Sequence, residues 1–552
     1  MRKLTAITIF SFLTLLIAIP LFTSYRLDLN RSTQTTDSDV EQCTAVIVTG
    51  TAAKDGRPIL MKNRDAPDTQ NKPTYVAPTS EHYGYTMIND VWMGINERGL
   101  AVMNTQVSAL GFGGGGMDNP TLNRWIVQHC ETVSQVGYEL NNTSGEIGPG
   151  KRLGGTCVGV IDRFGNGAFI EISGTGAYAR FVVNGYDSEA NHPRYYPGYA
   201  SGPSGRDQYA LDALNVIKAE KGVISWEDVA QNVSRYVRNK EQGSLSFSIV
   251  GEISNTETQA AMVAVSGDQR YDGKLNCMWG EYGNPPLVGL FVPSIVYAGQ
   301  PPSILNNFWN QVWQKRSYTQ DIGGYYFPEK VREVQSYTFF AEDYVFWKYD
   351  ELTSSIPEGL SDLQLKTRLQ EYVNYSVQFA TQIYIAEPQV SQHTVTHDGS
   401  EYRITTVSDS IVQGFQISAG SNVEIYFNIT APEGTSGSCY TKIPKTLWNG
   451  VFNITVGNDE YTIYDPPPYG NSILLNFTYS QASQVTIVGF FPSWDIYQDG
   501  KVDIRDVSVV AKAFGSAPGA TNWDPRADLN KDEHVNVTDV SIVTKHFGER
   551  YS

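Results

Sequence analysis

CTAVIVTGTAAKDGRPILMKNRD, residues Cys43 to Asp65, is the stretch on which the fold and the chemistry both turn. Ala45 to Val48 and Pro58 to Lys62 are short apolar runs on either side of an Asp55-Gly56 turn, the pattern of a β-hairpin. Folding back in this way brings Asp65 beside the start of the first strand, where Cys43 stands. A thiol at a chain terminus needs no histidine, because the adjacent α-amino group, with a pKa of about 7.7–8.0, is a suitable general base near neutral pH. The 18 residues before it, YRLDLNRSTQTTDSDVEQ (Tyr25 to Gln42), are polar and lack an apolar face, as in a linker or propeptide. Cleavage between Gln42 and Cys43 would therefore turn a masked cysteine into an N-terminal nucleophile. Asp39-Val40-Glu41-Gln42 is not the small apolar set that precedes a lipid-modified cysteine.

Further upstream, Arg2 and Lys3 precede an apolar run from Leu4 to Phe22, so residues 1–24 read as a signal peptide or a signal anchor. Membrane contact is expected through this segment alone, and an extracytoplasmic, secreted or cell-surface location follows. Asn-x-Ser/Thr sequences at Asn232, Asn374, Asn428, Asn453 and Asn476 are compatible with that route. The formal charge of −17, with no Lys/Arg run beyond the extreme N-terminus, excludes the electrostatic footprint of a nucleic-acid binder. Five cysteines (Cys43, Cys130, Cys157, Cys277, Cys439) are too few and odd in number for a disulfide scaffold. Cys130, Cys157 and Cys277 read as buried thiols or as one disulfide. The sequence has no His-Glu-x-x-His, Gly-x-Ser-x-Gly or Walker-type loop, which argues against a zinc protease, a serine esterase and an NTPase.

A chain of 552 residues is too long for one core. After Cys43, β-like runs at Val91 to Met93, Leu100 to Asn104, Val158 to Ile161 and Ala168 to Ile172 alternate with helical stretches at Leu122 to Val136 and Arg206 to Ala219. A further helix is expected after the Ser225/Asp228 capping pair. With the helical spacing from Tyr337 to about Ile385, residues 43–385 read as one α+β layered catalytic region. Gln389 to Phe490 alternates apolar and polar residues (VEIYFNIT, GVFNITV), as an all-β sandwich does. Residues 491–552 form a separate tail.

That tail holds a repeat, WDIYQDGKVDIRDVSVVAKAFG and ADLNKDEHVNVTDVSIVTKHFG, whose twelve-residue loops start 33 residues apart at Asp495 and Asp528. Ca²⁺ takes hard oxygen ligands from positions one, three, five, seven, nine and twelve of such a loop, the seventh through a backbone carbonyl. The second loop supplies Asp528, Asn530, Asp532, the His534 carbonyl, Asn536 and Asp539, with Glu533 where Gly is usual. The first supplies Asp495, Asp499, the Lys501 carbonyl, Asp503 and Asp506, with Gly500 at the turn and Tyr497 where an oxygen ligand belongs. The paired loop-helix repeat, with Asp at the twelfth position, resembles a type I dockerin domain, a small α-helical Ca²⁺-binding module. The resemblance implies docking onto a cohesin-type partner protein.

Cys43-Thr44 followed by Lys62-Asn63-Arg64-Asp65 resembles the N-terminal-nucleophile (Ntn) hydrolases, in particular the penicillin and isopenicillin acyltransferase-like branch, the choloylglycine hydrolases and the cysteine dipeptidases. Lys62 departs from the Arg that these families carry there. GINERGLAVMN (Gly94 to Asn104), DRFGNGAFIEIS (Asp162 to Ser173), EANHP with Asn191, and GPSGRDQY with Arg206 extend the resemblance. It implies a four-layer αββα domain, with Asp65 orienting the Cys43 amine. It also implies an oxyanion hole made by a backbone N–H at or near Asn104 and the Asn191 side chain, and Arg206 near the nucleophile. The expected activity is hydrolysis of linear amide bonds in peptides or N-acyl amino acids after autocatalytic cleavage, without a catalytic cofactor. A dipeptidase, an acyltransferase and an inactive Ca²⁺-dependent scaffold-binding protein remain as alternatives.

Overall fold

The computed structural model describes residues 42–550 apart from 67–69, 112–114, 204, 237–252, 255–257, 284–286, 321–325, 398, 420–422, 433, 449–450 and 464–467. The expected signal segment (residues 1–24) and the expected propeptide or linker (25–42), apart from Gln42, lie outside the described residues. By contacts the chain divides into Met1–Val40 and Glu41–Ser552, and only the second is described below.

Strands β1 (Gln42–Val48) and β2 (Ile59–Asp65) form the antiparallel pair expected at the start. They sit inside a six-stranded sheet of order β10-β1-β2-β11-β12-β13, with β10 Tyr186–Glu189, β11 Thr258–Val265, β12 Cys277–Tyr282 and β13 Val292–Ser294. A seven-stranded antiparallel sheet runs in chain order from β3 to β9: Pro73–Val76, Tyr85–Ile88, Met93–Asn96, Ala101–Gln106, Thr156–Ile161, Gly167–Ile172 and Ala177–Val182. The two sheets pack face to face. A Cβ on Gly159 would meet Leu60, and one on Gly167 would meet Ile47, so these glycines let the layers approach.

Helices α1 (Asn119–His129) and α2 (Val133–Asn141) cover the outer face of the seven-stranded sheet, burying Leu122, Ile126, Val136 and Leu140 against Val102, Val158 and Ile170. The sequence pattern runs from Leu122 to Val136 as one helix, but the chain breaks at Cys130 to Thr132. Thr132 caps the second helix by accepting from the Gln135 N–H, and Asp162 accepts from the Val133 N–H at 2.9 Å. Val91 and Trp92 belong to the turn before β5, because Asn89 and Asp90 take left-handed conformations there.

Helix α3 (Gly205–Lys221) packs on β1 and β10. The Ser225/Asp228 capping box is present and starts a helical segment that runs over Trp226–Asp228 and continues as a π-helix over Val229–Val233. After α4 (Trp309–Thr319), two long helices, α5 (Pro328–Ser355) and α6 (Asp362–Ala386), complete this region. Trp279 of β12 stacks on Trp226 at 4.9 Å and meets Phe346 of α5 edge-on.

Ten further strands follow: β14 Gln389–His397, β15 Ser400–Ser408, β16 Ile411–Ala419, β17 Val423–Thr430, β18 Gly437–Pro444, β19 Val451–Val456, β20 Asp459–Ile463, β21 Pro468–Tyr469, β22 Ser472–Tyr479 and β23 Ser483–Phe490. They form two five-stranded sheets around one apolar core that includes Ile404, Phe427, Ile454 and Phe477. In the tail, α7 (Ile504–Ala513) and α8 (Val537–Lys545) bury Val510 and Val543 in a cluster that also takes in Val451 of the sandwich. Among the described residues no helix is long and apolar enough to cross a membrane.

Candidate active site

Strand alternation decides what Cys43 faces. It pairs with Arg64, and Ala45 pairs with Lys62, so all four side chains share the face on which Ile47 and Leu60 meet the second sheet. Lys62 and Arg64 are buried there. The Arg64 guanidinium lies 3.9 Å from the centroid of the Trp92 ring, and the Lys62 ammonium lies 5.9 Å from it. Lys62 also donates to the Asn104 side-chain oxygen at 3.3 Å, which accepts from Asn123 at 2.8 Å as well. Asn104 thus stands on β6 opposite the thiol-bearing face, tied to the strand that pairs with β1.

Asp65 pairs with Gln42 and belongs to the alternate face, the one covered by α3. Its carboxylate accepts from Arg206 Nη1 at 2.9 Å and from Thr258 Oγ1 at 2.6 Å. Arg206 Nη2 also donates to Asn191 Oδ1, and the same oxygen accepts the Cys43 backbone N–H at 2.8 Å. Asn191 Nδ2 donates to the Gln106 carbonyl at 2.9 Å, two residues along β6 from Asn104. Cys43, Asp65, Asn191 and Arg206 are therefore joined in one hydrogen-bonded chain that ends on the Cys43 nitrogen. Asn191 reaches Cys43 through its carbonyl oxygen, whereas an oxyanion donor acts through the amide hydrogens.

Arg206 stands in the first turn of α3, a costly place for a cation because helix N-termini carry partial positive charge. Asp65 offsets that cost, and both groups are almost fully buried. Glu171, the acidic end of the DRFGNGAFIEIS motif, accepts the Arg194 N–H at 2.6 Å, the Tyr195 N–H at 3.0 Å and the Tyr196 N–H. Arg194 binds the Ser188 carbonyl at 2.6 Å and Asp207 at 3.2 Å. The loop carrying Asn191 is thereby fixed at its far end. Asp162, the other end of the motif, closes the turn by accepting from Phe164 and Asn166. Thr258 escaped the sequence reading: it lies 193 residues from Asp65 and belongs to no local motif.

No two cysteines are joined among the described residues, so Cys130, Cys157 and Cys277 are buried thiols and not a disulfide pair. Burial pushes the Cys130 and Cys439 thiols up to about 12, raises Cys157 well above its ordinary value and raises Cys277 as well. Such groups stay protonated and unreactive at neutral pH.

In the tail, the two loops share an unusual backbone. Gln498 and Gly500 in the first, and Lys531 and Glu533 in the second, take left-handed conformations at positions four and six. Asp506 and Asp539, at position twelve, each accept a hydrogen bond from the ninth residue's N–H. The second loop's donors are all carboxylate, amide or carbonyl oxygens, which fits Ca²⁺. Among the described residues no three or more His, Cys, Asp or Glu side chains converge as a metal cluster. The loop carboxylates are turned onto backbone amides, as where Asp528 accepts from Asp532 and Glu533 at 3.1 and 2.9 Å. In the first loop, Tyr497 is half exposed, and Arg505 pairs with both Asp499 and Asp503. Thr538 stands at the equivalent place in the second loop.

Residues 51–222 match the family described as acyl-coenzyme A:6-aminopenicillanic acid acyl-transferase, and residues 493–548 match the dockerin type I domain. No curated protein matches the chain. Two mutant forms of conjugated bile acid hydrolase from Clostridium perfringens are among the similar solved structures. Each is 11% identical, with TM-scores of 0.31 and 0.32, and the match covers 47% of this chain and 93% or 94% of theirs.

Proposed function

We propose that this chain is an N-terminal-nucleophile cysteine hydrolase of linear amide bonds, made active by cleavage between Gln42 and Cys43. The observation that carries the proposal is the Cys43 nitrogen held by Asn191, which Arg206 couples to buried Asp65. A peptide N–H needs only the one acceptor. The α-amine left after cleavage needs more, because it must be placed and oriented to take a proton from its own thiol.

Cleavage begins when Cys43 Sγ attacks the Gln42 carbonyl carbon and the peptide nitrogen leaves as an amine, giving a thioester. Water hydrolyses the thioester, Gln42 departs as a carboxylate and the thiol is restored. In turnover the Cys43 amine accepts the thiol proton and the thiolate attacks the substrate carbonyl. The leaving amine takes the proton, and water deacylates the enzyme. The oxyanion is held by a backbone N–H near Asn104 and by Nδ2 of Asn191, which carries two hydrogens. Asp65 and Arg206 position Asn191 and the amine without touching the substrate. Lys62, Arg64 and Trp92 line the thiol's side of the strand.

Residues 43–385 form the catalytic region in the Ntn-type layer order, residues 389–490 a sandwich that carries the tail, and residues 491–552 a Ca²⁺-binding dockerin. Asp528, Asn530, Asp532, Asn536 and Asp539, with the His534 carbonyl, would hold Ca²⁺ in its second loop, and the ion would order the loop. The tail attaches the enzyme to a cohesin-type partner outside the cell.

The test is a panel of dipeptides and N-acyl amino acids, with amine release as the readout. Turnover in wild type and none in Cys43→Ala supports the proposal; equal rates in both overturn it. The match to an acyl-transferase family favours one second reading, in which an amine replaces water. Added amine acceptors would then yield a new amide in preference to the free acid.

A further inference from the structure

A cleft of about 340 Å³, with none of the candidate active-site residues in its lining, opens between helices α5 and α6 and strands β18 and β22 of the sandwich. Its depth is aromatic. Tyr344 and Phe379 lie 4.5 Å apart between ring centroids, and Tyr440 meets Phe379 edge-on at 5.7 Å. Tyr375 stands half exposed at the mouth, its ring nearly parallel to that of Phe379, with its hydroxyl 3.2 Å from that of Tyr344. Three exposed amides, Gln378 and Gln382 one turn apart on α6 and Asn476 on β22, complete the rim. No side chain lining the cleft is charged.

This composition selects among ligands. A charged ligand finds no counter-charge here. A purely apolar one would cover the rim amides and leave them without partners, which disfavours its binding. A neutral molecule with a flat C–H face and a periphery of hydroxyls satisfies both halves. Its polarised C–H bonds rest on the negative faces of the rings, and its hydroxyls exchange hydrogen bonds with amides that both donate and accept. A pyranose is such a molecule, and pockets of a few hundred Å³ are large enough to hold small ligands. We propose that this cleft binds a neutral oligosaccharide, by ring stacking on Tyr375 and its neighbours and by hydrogen bonds to Gln378, Gln382 and Asn476. It acts separately from amide hydrolysis and holds the enzyme on glycan.

The experiment is calorimetric titration of the full chain with neutral hexasaccharides built from glucose, xylose, mannose or galactose. At least one should bind at a single site. Tyr375→Ala should weaken it about tenfold or more, and so should the double variant Gln378→Ala/Gln382→Ala, with amide hydrolysis unchanged in both. The amide pair lies on an exposed helix face, so this variant keeps the fold even if loss of the tyrosine disturbs it, and thermal melting checks that. No binding by any of the four sugars at millimolar concentration overturns the proposal. So does binding that neither variant weakens.

Discussion

Cys43 meets its surroundings through two faces of one strand. Its thiol points with Lys62 and Arg64 toward Trp92, and its nitrogen is held from the other side through Asn191, Arg206 and Asp65. Arg206→Met should lower kcat about 100-fold, the scale of loss when a reacting group is displaced by about an ångström. KM should change little, and Arg206→Lys should restore part of the rate; a rise in KM alone would assign Arg206 to substrate binding. Thr258→Val removes a hydrogen bond to a buried carboxylate and should cost about 1.5–3 kcal/mol of stability, read from denaturant unfolding. The spacing of Cys43, Asp65, Asn191 and Arg206 was legible in the chain because each sits in a local motif. Thr258 was not, because its partner is distant in sequence. Nor was the direction of the Asn191 amide, which is set by Gln106 on one side and Arg206 on the other.

Single elements carry two further consequences. Glu281 on β12 is fully buried beside the ion pair of Arg235 and Glu342, and burial pushes its carboxyl up to about 8. Below about pH 4.5 it is protonated in both folded and unfolded chains, and its contribution to stability is complete. Between there and about pH 8 the unfolded chain ionises first, so stability falls as pH rises, by ~1.4 kcal/mol for each unit of separation. Glu281→Gln should flatten the fall in Tm from pH 5 to 8; an unchanged slope would place its origin elsewhere. In the tail, Glu533 holds a left-handed backbone (φ 64°) that glycine adopts without strain. Glu533→Gly should stabilise the second loop by about 1 kcal/mol, read as tighter Ca²⁺ binding in calorimetry, while Asp528→Ala should abolish uptake there. Arg505→Thr should strengthen the first loop by releasing Asp499 and Asp503. The repeat and its donors were legible as spacing. The Arg505 clamp was not, because position eleven is no ligand position. The break between α1 and α2 was hidden because one of its caps, Asp162, comes from the second sheet.

Across the whole molecule, residues 43–385 supply two apolar clusters, and the sandwich and the tail supply one each. Val407, Tyr469 and Leu474 of the sandwich join the first core, and Val451 joins the tail. In the sequence, the change from helical spacing to apolar–polar alternation after residue 385 and the loop repeat after residue 490 are legible as changes of pattern. The aromatic cleft between helices and sandwich left no such mark, because its residues come from four elements. Amide hydrolysis by an N-terminal Cys43 requires the Gln42–Cys43 bond to be cut, and intact-mass measurement of the purified protein tests this most directly. Wild type should have the mass of a chain beginning at Cys43, and Cys43→Ala should retain residue 42 and those before it. A wild-type chain in which that bond is intact, indistinguishable from Cys43→Ala, would contradict it.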